Sequence, residues 1–183
     1  MNLDLQAKLD EAARHAKSRD DKAEAIIWTN VLFNAGMGAF PFGLNIWPFV
    51  GSNVTGIVAL GHLYGFTTNR EQAGALMRQI FSAVGVTWGA SYLGTKFFLE
   101  VLKGVGIFSA GWIPLGAPFA VTGLALDAVL DGAITYAVGY TAKVHFSRNC
   151  TLEKAEMRKE FRKRFDEGKA KVVAVRKVKN TRA

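Results

Sequence analysis

From Ala25 to Asn69 the chain runs for 45 residues without a single Asp, Glu, Lys or Arg, and only His62 can titrate in that stretch. Two shorter runs share the property: Gly104 to Leu126, with 23 residues, and Gln79 to Thr95, with 17. Chain without charge has to be shielded from water, either by other protein or by lipid. A helix crosses a bilayer with about 20 predominantly apolar residues. By that measure the 23-residue run is long enough to span, the 45-residue run has room for a span or a re-entrant hairpin, and the 17-residue run is borderline.

Charge is instead gathered at the two ends. Residues 1–24 hold five basic and six acidic side chains, residues 25–147 hold five and four, and residues 148–183 hold thirteen and five. The net charge of +8 therefore resides in the last segment. These boundaries divide the chain into a charged amphipathic helix (1–24), a hydrophobic helical core (25–147) and a basic helical tail (148–183). A length of 183 residues suits one compact domain. A single Cys excludes a disulfide framework and a zinc site built on several cysteines.

Glycine and proline complicate the membrane reading. Of the 19 glycines, 18 fall between residues 25 and 147, together with Pro41, Pro48, Pro114 and Pro118. Both residue types are more frequent in membrane helices than in soluble ones, because neighbouring helices satisfy the freed backbone groups. A water-facing bundle would show a polar stripe on each helix. Such stripes are clear near the termini and faint in the middle. The resulting expectation is an all-α protein of Gly-rich hydrophobic hairpins or a bundle, embedded in a membrane. A soluble hairpin bundle or oligomer is the alternative.

The helices can be placed. Leu3, Leu5, Leu9, Ala12, Ala13 and Ala16 mark one face of an amphipathic helix over 3–24, which continues as AIIWTNVLFNAG. The segment lacks the apolar core of a secretory signal. A broken connector follows, rich in Gly, Pro and aromatics. Ser52 or Asn53 is expected to cap a helix over Val54–Tyr64 with Gly65 at its C′ position, and Thr68 or Asn69 to open the next, which runs to about Leu93. After a charged turn (Lys96, Glu100, Lys103) and a second Gly/Pro connector, a long helix covers Phe119 to about Phe146. Thr151 is expected to cap the tail helix and Gly168 to end it.

No enzyme signature is present. There is no GxxxxGK[ST], the Gly104–Gly106 pair lacks the third glycine of a dinucleotide fingerprint, and His15, His62 and His145 are scattered. No catalytic, cofactor-binding or metal-ligating residue is assigned. Cys150 is read as an inert thiol. Asp127 and Asp131 lie one turn apart on an apolar helix, and with His62 they are the buried polar candidates. The plainer reading is that the two carboxylates face a headgroup layer or pair with Arg78 or Lys96; a pore lined by them is a weaker alternative. Gly61, Gly65, Gly85, Gly89, Gly132 and Gly139 fit close helix packing through small-residue spacing, with self-association as a corollary.

Arg158, Lys159, Arg162, Lys163 and Arg164, interleaved with Phe161 and Phe165, suit contact with an anionic cytoplasmic leaflet or a partner. The same cluster could hold phosphates. However, Glu153, Glu156, Glu160, Asp166 and Glu167 disfavour nucleic acid. By the positive-inside rule the tail is expected to be cytoplasmic, and the charged N-terminal helix, without an export signal, is expected on the same side.

The run FPFGLNIWPFVGSNVTGIVALGHLYGFTTNREQAGALMRQIF, with Pro48, Asn53, Tyr64 and Gly65, resembles the bacterial domain of unknown function 697 family. Thr135, Ala137, Gly139 and Phe146 in the later WIPLGAPFAVTGLALDAVLDGAITYAVGYTAKVHF are similar to its second half. The resemblance covers about residues 25–147 and departs at Asn53, where many members have Asp. It implies a helical module of the bacterial inner membrane that works with a GTPase supplied by another chain. The expected function is thus a non-enzymatic membrane-associated helical protein. The alternative is a soluble or peripheral adaptor that buries its apolar surface in an oligomer.

Overall fold

The computed structural model describes residues 18–38, 46–85 and 116–180, together with Ala7 and Glu11. Among these residues the protein is all-α, with five helices: α1 (Arg19–Gly38), α2 (Ile46–Leu63), α3 (Arg70–Val84), α4 (Gly116–Ser147) and α5 (Lys154–Asn180).

Local chemistry sets the ends of these helices. Ser18 and Asp21 form a reciprocal box: the Asp21 N–H donates to Ser18 Oγ at 3.0 Å and the Ser18 N–H to Asp21 Oδ2 at 3.1 Å. This box starts α1 at Arg19, where the sequence reading ran one helix unbroken from residue 3 past residue 24. The boundary drawn at residue 24 falls inside α1. Helix α2 begins eight residues earlier than the expected Val54. Pro48 is tolerated there because the first turn needs no intrahelical N–H partner. Ser52 and Asn53 are therefore interior residues and not caps. Both donate back to the Phe49 carbonyl at 2.9 Å.

Gly65, at φ +89°, closes α2 as a C′ residue, with Phe66 N–H donating to Gly61 O at 2.9 Å and Gly65 N–H to His62 O at 3.0 Å. Asn69 and Gln72 form a capping box that opens α3. The buried face of α3 is Ala73, Leu76, Met77, Ile80, Ala83 and Val84, the spacing of an amphipathic stripe. Gly85, at φ +102°, ends α3 well before the expected Leu93. At the other turn Thr151 Oγ donates to Arg148 O, and α5 starts after Glu153, whose N–H donates to Glu156 Oε2. Gly168 does not end that helix, which continues to Asn180.

Helix α4 is the axis of the bundle, about 48 Å long at 1.5 Å per residue. It packs most extensively on α1 and α5, and also against α2 and α3. Residues 131–138 of α4 are buried on every side. Helix α1 runs antiparallel to α4: Ile27 meets Gly139, and Ala35 meets Gly132. Helix α5 returns along another face, with Val172 against Gly132. A Cβ on Gly168 would lie 3.1 Å from the Ala133 Cα and the Tyr136 Cβ, so the absence of a side chain there is what lets α5 touch α4. The basic tail is thus part of the bundle, joined through buried Leu152, Met157, Phe161 and Val172.

Spanning segments were expected in the uncharged runs. Among the described residues no helix is long and apolar enough to cross a membrane. The 45-residue run is divided between α1 and α2, and the buried polar residues Asn30, Asn34, Ser52 and Asn53 interrupt it.

Candidate functional site

The apolar core has a polar seam through it. On α4, Asp127, Asp131 and Thr135 follow at four-residue spacing, and all three are at most 1% exposed. Opposite them, α1 contributes Asn30 and Asn34, again one turn apart, and α2 contributes Ser52 and Asn53. Thr135 is the junction. Its Oγ1 accepts from Asn34 Nδ2 at 2.9 Å and from Asn53 Nδ2 at 3.4 Å, while Ser52 Oγ donates to Asn34 Oδ1 at 2.7 Å. Three helices are therefore keyed together by side-chain hydrogen bonds. Because a buried polar group is expensive unless satisfied, such a network fixes which residues face one another.

The seam borders a cavity of about 10 Å³ lined by Asn30, Asn53, Gly56 and Thr135, about the size of one water. The Oδ1 atoms of Asn30 and Asn53 accept no hydrogen bond from any described residue. Gly56 permits the approach, since a Cβ there would lie 2.8 Å from Asn30 Nδ2. Asp127 and Asp131 are buried at the next turns of α4, and both have interaction partners. No group of three or more His, Cys, Asp or Glu side chains suited to a metal occurs among the described residues.

The two ends of the bundle differ chemically. Towards the C-terminus of α4, Lys143 pairs with Asp20 at 3.0 Å, Tyr140 OH donates to Glu24 at 2.7 Å, and Arg148 pairs with Glu156 at 2.8 Å. Lys143 holds the Asp20 carboxyl below its ordinary value, and burial pushes the Tyr64 hydroxyl beside it up. Burial likewise pushes the Tyr140 hydroxyl up and the buried His145 imidazole down. In the other half, at the levels of α4 residues 126–135, large apolar side chains stand in solvent: Leu32, Leu126, Val173 and Val175 are 39–54% exposed.

The basic cluster splits into two groups. Arg158 Nε donates to the Ala83 carbonyl at 2.5 Å, holding the last turn of α3. Arg164 pairs with Glu160 at 2.6 Å and Glu167 at 2.9 Å, and lies 4.5 Å from the centre of the Tyr140 ring. Lys159, Arg162 and Lys163 point outward and are exposed. His62, expected among the buried polar residues, is exposed, because it faces away from the core near the end of α2. Of the packing glycines, Gly61, Gly132 and Gly139 sit at close approaches to Thr68, Val172 and Ile27. Gly65 and Gly85 do not: each occupies a left-handed turn with open space where a Cβ would stand. Gly89 lies outside the described residues. Asn30, Asn34, Ser52, Asn53 and Thr135 were not singled out as a polar site by sequence reasoning. The four-residue spacing of Asn30 with Asn34, and of Thr135 with the two aspartates, was the available signal.

A family model for a domain of unknown function, DUF697, matches residues 4–170, a longer stretch than the 25–147 over which the resemblance was noted. No curated protein and no solved structure matches the chain. The chain belongs to the DUF697 family.

Proposed function

We propose that this member of the family is a non-enzymatic helical module that lies against an anionic membrane surface, without crossing it through the described helices. The observation that carries the reading is the coincidence, in one half of the bundle, of exposed Leu32, Leu126, Val173 and Val175 with the C-terminal half of α5. After Glu167 the sequence has no acidic residue and six basic ones: Lys169, Lys171, Arg176, Lys177, Lys179 and Arg182. Helix α1 ends and α2 begins in this same half. Apolar side chains entering the headgroup boundary beside basic residues are the combination that holds peripheral proteins on anionic lipid. The cytoplasmic leaflet of a bacterial inner membrane has that chemistry. A GTPase partner, which the family resemblance implies, would supply any nucleotide hydrolysis, since this chain has no phosphate-binding loop.

The test is flotation of the purified protein with phosphatidylglycerol-containing and with pure phosphatidylcholine vesicles, at low and high salt. Binding is expected to the anionic vesicles and to weaken with salt. Leu126→Gln with Val173→Gln removes roughly 2 kcal/mol of apolar transfer, about thirtyfold in binding. A protein that ignores both vesicle types and forms an oligomer broken by the same pair of substitutions would replace this reading with self-association. Vesicle binding unchanged in the double variant would also sink it.

A further inference from the structure

The first half of α5 carries more positive charge than its own contacts use. From Arg148 to Lys169 there are eight basic and five acidic side chains. Four of the five carboxylates are answered within the chain: Glu156 by Arg148, Glu160 and Glu167 by Arg164, and Asp166 by Lys169. The fifth, Glu153, is the sequence neighbour of Lys154 where the helix starts. Arg158 is held by the Ala83 carbonyl. That leaves Lys159, Arg162 and Lys163. All three are exposed, and none makes a hydrogen bond or ion pair with a described residue.

Helix periodicity fixes where they point. Met157 and Phe161 are fully buried, and Lys159 and Lys163 each follow one of them by two positions, about 200° round the helix. Both lysines therefore stand on the face opposite the core. Arg162 comes four residues after Arg158 and lies on the flank that Arg158 turns towards α3. The three cations sit within one turn, about 6 Å along the axis. Like charges at this spacing repel one another and destabilise the helix, unless something negative meets them.

The surroundings decide which kind of anion fits. The exposed large apolar side chains, Leu32, Leu126, Val173 and Val175, all belong to the other half of the bundle. Among the described residues, none is therefore available to enter a bilayer beside these charges. A nucleic-acid duplex carries a charge about every 1.7 Å and runs past the patch in both directions. It would meet the carboxylates of Glu156 and Asp166, which are 49% and 73% exposed. A short acidic stretch of protein begins and ends inside the patch. Its carboxylates repeat at about 6–7 Å, whether one turn apart on a helix or two residues apart on a strand, which matches Lys159 and Lys163. Arg162 adds a planar guanidinium that grips a carboxylate through two parallel hydrogen bonds.

We infer that the outer face of α5 at Lys159, Arg162 and Lys163 docks an acidic segment of a partner protein, one that presents two or three carboxylates within about 6 Å. The inference does not rest on the membrane reading, since it uses the other half of the molecule and other cations.

The probe is a short fluorescein-labelled alanine peptide with glutamates in i,i+4 pairs, and the control is the same peptide with glutamines. Binding to the full-length protein is read by fluorescence anisotropy at low salt. Arg162→Glu with Lys163→Glu is compared with Lys177→Glu with Lys179→Glu, which changes the net charge equally at the other end of α5. The glutamate peptide should lose about tenfold in affinity with the first pair and less than about twofold with the second. Circular dichroism checks the fold of each variant, and Lys159→Gln with Lys163→Gln replaces the first pair if that one fails to fold. Carbodiimide coupling of the bound peptide, followed by peptide mapping, should place its amide links on Lys159 or Lys163. Equal losses in the two variants, equal binding of the glutamine peptide, or amide links confined to the lysines after Glu167 would each overturn the inference. So would a DNA duplex that binds more tightly than the peptide and is released by the first pair alone, which would hand the patch to nucleic acid.

Discussion

Thr135→Val tests whether the polar seam keys three helices together. Valine has nearly the shape of threonine, so the substitution opens no cavity, and what it removes is the oxygen. Asn53 keeps the Phe49 carbonyl at 2.9 Å, whereas Asn34 Nδ2 loses its acceptor at 2.9 Å while 0% exposed. Stranding one buried donor costs about 1–3 kcal/mol, and about 2 kcal/mol is expected here. Asn34→Leu is the informative partner. It removes that donor and leaves Ser52 with the Phe49 carbonyl, so Thr135→Val made on top of it strands nothing. The second substitution should then cost under about 0.5 kcal/mol, giving a coupling near 1.5 kcal/mol in the double-mutant cycle. Urea unfolding followed by helical circular dichroism measures each corner, with Thr135→Ser as the variant that keeps the oxygen. Equal costs of Thr135→Val in the two backgrounds, or a single substitution within about 0.5 kcal/mol of the parent, would refute the argument.

Other outcomes follow from the same contacts. Gly168→Ala gains about 1 kcal/mol of helix propensity yet must push against the Ala133 backbone at 3.1 Å, so it should lower the melting temperature. A higher one would contradict the close approach of α5 to α4. Arg158→Ala should cost about 1 kcal/mol in urea by releasing the Ala83 carbonyl and leave vesicle binding alone; Lys177→Ala, among the basic residues after Glu167, should do the reverse. Burial holds the His145 imidazole below its ordinary 6.5, so unfolding takes up a proton as the pH falls through that value. Stability should therefore decline on acidification from pH 7, with a slope of up to one proton that His145→Gln removes and His62→Gln does not. Denaturation midpoints across that pH range decide it.

The helix ends were legible wherever local chemistry alone decides them. Gly65 as a C′ residue and Asn69 as a cap needed nothing beyond their own neighbours, and both stand where the pattern put them. Ser52 and Asn53 show the opposite case. A polar pair inside an apolar run looks like a helix start, but these two turn back onto Phe49 O and across to Asn34 and Thr135. Only the presence of α1 and α4 makes that arrangement favourable. Gly168 misled for the same reason: glycine signals a stop locally, and its value here lies in a neighbour 35 positions earlier, the Ala133 backbone. The two aspartates were found because charge is rare in the core. The asparagines and Thr135 that continue their lane were passed over because neutral polar residues carry no such contrast.

The missing charge in the middle of the chain has two physical sources, and the structure separates them. Along the centre of α4 the surrounding helices occupy every face, so residues 131–138 have no solvent side on which a polar stripe could lie. Protein does the shielding there, and the charges that face water are carried by the N-terminal turn of α1, by α3 and by α5. That account does not extend to Leu32, Leu126, Val173 and Val175, which no neighbouring helix covers. Of the six basic residues after Glu167, Lys171 reaches the hydroxyl of buried Tyr136 at 2.8 Å and Lys169 pairs with Asp166 at 2.8 Å, but a packed helix does not otherwise require its outer face to be of one sign. Surplus apolar surface falls in the same half of the bundle as the C-terminal half of α5, while the opposite half carries the Asp20–Lys143 and Arg148–Glu156 pairs together with exposed Lys159, Arg162 and Lys163. That pairing of surplus apolar surface with surplus positive charge is what the proposed membrane contact uses, and the flotation assay decides whether it does.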